Sequence, residues 1–128
     1  MGDCDLIALR AYLNAQSRLP ARLGVVDCVT FCVGALLVGW GRDYSRVLRY
    51  KDRRSAVTQL REEGGLLQAT RAVLGPEDFC YDFPPGSLAY FPTSPTLGLI
   101  LDGWVLIKGH KQIMRVERCD ALKGWRTA

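Results

Sequence analysis

The apolar positions of this chain change period late in the sequence. Up to about residue 75 they recur at helical spacing, and from residue 87 they fall into short blocks of strand length. Residues 3–18 put Leu6, Leu9, Tyr12 and Leu13 on one side and Arg10, Asn14 and Gln16 on much of the rest. This predicts an amphipathic helix with Asp3 or Asp5 as its cap. Leu19-Pro20 ends it. Residues 27–40 are apolar almost all round, which predicts a central buried helix with Asp27 at or near the N-cap. Ser55 opens a third helix, 56–63, with Val57 and Leu60 inward, and Gly64-Gly65 breaks it. A fourth, 66–74, stops at Gly75-Pro76. A loop then holds Phe79, Cys80, Tyr81 and Phe83 and closes on Pro84-Pro85-Gly86. Residues 87–91, 96–101, 104–108 and 112–116 read as strands, with turns at Asp102-Gly103 and Gly109-His110. Residues 119–123 read as a helical turn before Trp125.

Length allows one domain, 1–128, with a single core. The chain is 48% hydrophobic and 23% charged, the balance of a soluble globular protein. A net charge of +4 is too mild for a nucleic-acid-binding tail. Residues 42–54 do interleave Arg42, Arg46, Arg49, Lys51, Arg53 and Arg54 with Tyr44 and Tyr50, a pattern that can grip phosphates. Asp43 and Asp52 interrupt it, and the stretch reads as a solvated linker anchored by its tyrosines, so no nucleic-acid partner is expected. The longest apolar run, 31–40, is about half of the roughly 20 residues that span a bilayer, so no membrane partner is expected either. The start, Met-Gly-Asp-Cys-Asp, does not resemble a secretion signal.

Five cysteines, at 4, 28, 32, 80 and 119, are odd in number and irregular in spacing. That argues against a disulfide framework and fits synthesis in a reducing cytoplasm. Cys28 and Cys32 are one helical turn apart, so a metal site with His110 is conceivable. Two small core residues is the simpler reading, and no cofactor is expected. Cys28 has the more specific placement, directly after Asp27 at a helix start. Helix N-termini lower thiol pKa values, but a working nucleophile also needs an imidazole in reach and a group to orient it.

Helices first, then a small antiparallel sheet, with Asp27-Cys28 opening the central helix, resembles the NlpC-type branch of the papain-like cysteine peptidases. That family cuts peptidoglycan stem peptides. Pro85-Gly86-Ser87 matches two residues of its Pro-Gly-Asp turn. Thr96-Leu97-Gly98-Leu99 matches its His-hydrophobic-Gly-hydrophobic strand, with Thr96 at the histidine position. The third polar member falls near Lys108. The chain is more similar still to a family of small proteins encoded in phage tail-gene clusters. Its matching segments are Gly24-Val-Val-Asp-Cys28, Gly41-Arg-Asp43, Gly64-Gly-Leu66, Pro85-Gly-Ser-Leu88 and Trp125-Arg126, with Leu23 where that family carries tryptophan.

The resemblance implies an α+β, papain-like fold with N-terminal helices on a small antiparallel sheet. It implies a degenerate peptidase in which Cys28 is a vestigial nucleophile and Thr96 marks a missing base. His110, the chain's one histidine, is the alternative base. The implied role is a structural or assembly part of a phage tail tip or baseplate, carried in the virion and held by neighbouring tail proteins. Tyr44, Tyr50, Phe79, Tyr81 and Trp125 are the candidate interface aromatics. The alternatives are an active cysteine amidase acting on peptidoglycan during cell entry and a basic nucleic-acid-binding module.

Overall fold

The computed structural model describes residues 4–47, 50, 52–92, 95–101, 103–117 and 122–127. Among the described residues the protein is α+β: four helices precede a six-stranded antiparallel sheet, and α1 and α2 pack on one of its faces. Helix α1 spans Leu6–Ser17, and Asp5 caps it by accepting from the Ala8 N–H at 3.1 Å. The other candidate cap, Asp3, lies outside the described residues. Leu9 is buried and Tyr12 and Leu13 are half-buried, but Leu6 is 58% exposed, so the buried stripe is narrower than the pattern suggests.

Helix α2, Cys28–Trp40, begins in a capping box. Asp27 Oδ1 accepts from the N–H groups of Val29 and Thr30, and Thr30 Oγ1 accepts from the Asp27 N–H at 2.8 Å. The helix ends at Gly41, whose φ of 66° is left-handed. Phe31, Cys32, Ala35 and Leu36 are fully buried, which makes α2 the centre of the core. α1 crosses it where Gly34 faces Tyr12. A Cβ at Gly34 would collide with the Tyr12 ring, and the Tyr12 hydroxyl donates to the Phe31 carbonyl at 2.8 Å.

A 3₁₀ turn, Ser45–Val47, leads toward α3, Arg53–Glu63. α3 starts earlier than its pattern predicts, because Asp52 is the N-cap and Ser55 is its capping-box partner inside the helix. Its buried face is Ala56 and Gln59 rather than Val57, which is exposed. The Gln59 amide donates to the Val47 carbonyl at 3.1 Å, so the turn and not apolar area sets the inward side. α4, Leu66–Leu74, lies between Gly65 and Gly75. Just beyond it, Glu77 takes both guanidinium contacts of Arg71 at 2.7 Å.

The strands are β1 Asp78–Cys80, β2 Leu88–Phe91, β3 Thr96–Leu101, β4 Trp104–Gly109, β5 Gln112–Glu117 and β6 Leu122–Trp125. Their order is β1-β6-β2-β3-β4-β5, and all neighbours are antiparallel. Two expectations are corrected. Leu122 and Lys123, read as part of a helical turn, are strand, and residues 119–121 lie outside the described set. Residues 78–80, read as loop, form the strand that β6 pairs with. β6 inserts between β1 and β2, and Gly124 permits it, since a Cβ there would strike the Leu88 carbonyl. Of the expected Asp102-Gly103 turn, Asp102 lies outside the described residues.

Alternation along the strands sorts the sheet into two faces. Leu88, Tyr90, Leu97, Leu99, Leu106 and Trp125 pack with α1 and α2 in the main core. Ala89, Ile100 and Val105 face the other way, under Phe83 and with half-buried Phe91, Ile107 and Leu122.

Candidate functional site

Cys28 is the first residue of α2, and the connector before it is tightly built. An Arg22–Val26 bridge folds that connector back on itself. Gly24, at φ 87°, lies so close to the Asp52 backbone that a side chain there would collide with it. The Gly24 N–H donates to Asp27 Oδ2 at 2.8 Å, and the Tyr50 hydroxyl reaches the same carboxylate. Asp27 therefore organises the helix start, the connector and Tyr50 together.

The Cys28 thiol meets β3 at its first residues. Burial pushes the thiol up most strongly, and the Asp27 carboxylate adds to this. The N–H groups of Leu97, Cys28 and Val29 pull it down, and burial prevails. None of these influences is a cation. The helix start thus makes its expected contribution without producing a thiolate. Cys32, one turn on, is fully buried and its thiol is raised further, the behaviour of a core residue. Among the described residues no three His, Cys, Asp or Glu side chains gather as metal ligands would.

Thr96 opens β3 and pairs with Phe91. Cross-strand partners share a face, and Phe91 packs away from the helices, so Thr96 points away from Cys28. The residue on the helix side is Leu97. Lys108 shares the helix-side face with Leu106 and is 6% exposed. Its ammonium donates to the carbonyls of Leu19 and Gly109, both at 2.6 Å, and burial lowers its pKa. It ties β4 to the end of α1. His110 is exposed in the β4–β5 turn, between Gly109 and Lys111, whose φ of 53° is left-handed.

The five candidate interface aromatics divide. Tyr44 donates to the Thr127 carbonyl at 3.0 Å, Trp125 donates to the Gly75 carbonyl at 2.9 Å, and Tyr50 lies on Asp27. All three are anchors within the fold. Phe79 and Tyr81 are 69% and 75% exposed, on and just after the edge strand β1. Within the basic stretch, Arg53 and Arg54 sit at the start of α3, while Arg49 and Lys51 lie outside the described residues. A cavity of about 420 Å³ runs along α3 past Asp52, Arg54, Thr58 and Glu62, so acidic and basic groups alternate there. No helix among the described residues is long and apolar enough to cross a membrane.

Two residues join the expected Asp27 cap. Thr30, three residues after Asp27 and before an apolar run, carries a legible capping-box signal. Tyr50 carries none, because its reach to Asp27 exists only once α3 has packed beside the connector.

No curated protein and no solved structure matches this chain. Residues 6–127 match the model of a domain of unknown function, DUF6950, and with nearly its whole length covered the chain belongs to that family.

Proposed function

We propose that this domain is a structural or assembly component of the distal end of a phage tail, built on a papain-like, NlpC-type fold that has lost its catalytic base. The order of its motifs, from Gly24-Val-Val-Asp-Cys28 to Trp125-Arg126, supports the tail assignment. The environment of Cys28 carries the non-catalytic half. A cysteine at a capped helix start against β3 supports the papain-like reading. Yet its thiol is pushed up rather than down, and β3 offers it a backbone N–H instead of an imidazole. Loss of the general base and its orienter removes several orders of magnitude in rate. What is left is a rigid body suited to symmetric assembly. Exposed Phe79 and Tyr81 are the aromatic anchors for neighbouring tail-tip or baseplate proteins.

Mass spectrometry of purified virions tests the location, and a deletion phage tests the need. The chain is expected in the particle, and its removal is expected to leave tails incomplete. Virions lacking the chain, together with a deletion phage that infects normally, defeat the proposal. Incubation of the purified protein with peptidoglycan tests the rest. Stem-peptide cleavage that Cys28→Ser abolishes favours the alternative, a cysteine amidase acting at cell entry.

A further inference from the structure

The two edges of the sheet are built differently. β1 has three residues, follows Pro76, and has Asp78 held by Arg126 at 2.6 Å. Short, charge-tied edges of this kind resist further pairing. At the other edge, all six residues of β5 pair with β4 in one unbroken register, from Trp104↔Glu117 to Gly109↔Gln112. β5 contains no proline, glycine or bulge, and no described strand lies on its far side. Met114 and Val116, 43% and 40% exposed, lie on the face away from the helices, beside half-buried Ile107.

We propose that this edge pairs with a second copy of the chain, β5 antiparallel to β5, with Met114 on the two-fold axis. Parity and charge select the register. A two-fold perpendicular to the sheet preserves its faces, so paired positions must both be odd or both be even. The axis therefore falls on a residue. On Arg115 it would centre two like charges that now lie over the Trp104 rings, and on Ile113 it would bring Lys111 toward Arg115. On Val116 it would carry Met114 past the end of the other β5. On Met114 the strands overlap almost fully: Met114 meets its own copy, Gln112 meets Val116, and Ile113 lies beside the alkyl stem of Arg115. Lys111, in the turn just before β5, then comes close to Glu117 at both ends. Opposite charges directly across a strand pair stabilise it, and like charges weaken it. The result is a continuous twelve-stranded sheet formed by two six-stranded halves. This inference does not depend on the tail assignment.

Sedimentation equilibrium of the full chain across the micromolar range reads the association directly. The wild type is expected to show a monomer–dimer equilibrium. Glu117→Lys sets two lysine pairs across the axis and is expected to raise the dissociation constant about tenfold or more. The double variant Lys111→Glu/Glu117→Lys is expected to restore it. Met114→Cys is expected to give an intermolecular disulfide on mild oxidation, located by peptide mass spectrometry, whereas Arg115→Cys does not; residues directly opposite are close enough for that bond. These positions are exposed, and an unchanged circular dichroism spectrum separates lost pairing from lost folding. A wild type that stays monomeric, a double variant that fails to recover, or a crosslink at 115 instead of 114 overturns the proposal.

Discussion

The Tyr50 hydroxyl donates to the Asp27 carboxylate, 3.2 Å from Oδ2 and 3.3 Å from Oδ1, on the residue that caps α2 and precedes Cys28. The contact holds Tyr50 against the start of the central helix. Burial and the Asp27 charge hold the phenol protonated far into the alkaline range, so it remains a donor at any ordinary pH. Tyr50→Phe keeps the ring and removes the bond, and is expected to lower stability by about 1 kcal/mol in urea unfolding. Tyr50→Ala is expected also to expose Cys28 and speed its alkylation. An unchanged alkylation rate in Tyr50→Ala would show that Tyr50 does not shield the thiol.

Alkylation of Cys28 against pH reads the state of its thiol. Its pKa is raised, chiefly by burial, so the neutral thiol dominates at pH 7. The rate of iodoacetamide labelling, followed on the Cys28 peptide by mass spectrometry, is expected to climb through the alkaline range without a plateau near neutrality. A fast plateau at pH 6–7 is the signature of an activated thiolate and would refute the non-catalytic reading.

Asp27 has two separable effects. Asp27→Ala deletes the acceptor for Gly24, Val29, Thr30 and Tyr50, and is expected to cost about 2 kcal/mol, the upper end for an N-cap. Asp27→Asn keeps a good cap but removes the negative charge that raises the Cys28 thiol. Its labelling at pH 8 is therefore expected to be faster than wild type. Slower labelling in Asp27→Asn would mean that the carboxylate does not act on the thiol through its charge.

The Arg71–Glu77 pair gives a pH-dependent stability with a defined sign. Arg71 holds the Glu77 carboxyl down at about 2, below its value in an unfolded chain. A depressed carboxyl contributes stability above its unfolded pKa and loses it as pH falls through the folded one. Glu77→Gln is therefore expected to be less stable than wild type at pH 7. The gap should narrow between about pH 4.5 and 2 and close below that. Urea unfolding of both proteins at pH 7, 4 and 2 measures it, and a gap that is constant over this range would exclude the ion pair as its source.

Gly124 tests the insertion of β6. A Cβ there would strike the Leu88 carbonyl in the neighbouring strand. Gly124→Ala is expected to destabilise the protein by about 3 kcal/mol, because backbone and not a flexible side chain stands in the way. Unfolding within a few tenths of a kcal/mol of wild type would place β6 elsewhere.

Local pattern carries much of this molecule. The apolar run after Asp27, the Gly64-Gly65 break, the Gly75-Pro76 stop and the strand blocks from Leu88 to Glu117 are legible in sequence, because capping, glycine conformation and side-chain period act over a few residues. The placement of Cys28 at a helix start was legible for the same reason. Tertiary structure alone decided the rest. β1 is three residues long and β6 four, too short to show a period; β6 is a strand because it pairs with β2 and β1, and β1 because β6 lies beside it across a long stretch of chain. Strand parity, set by the Phe91–Thr96 pairing, turned Thr96 away from Cys28, and the packing of α2 on β3 brought the thiol to the Leu97 N–H. Long-range packing turned Tyr44, Tyr50 and Trp125 inward, where carbonyls and a carboxylate awaited their donors, and left Phe79 and Tyr81 outside. Whether a cysteine at a helix start becomes a thiolate depends on burial and on which groups the sheet brings to it. Those are relations between distant residues, which no local spacing encodes.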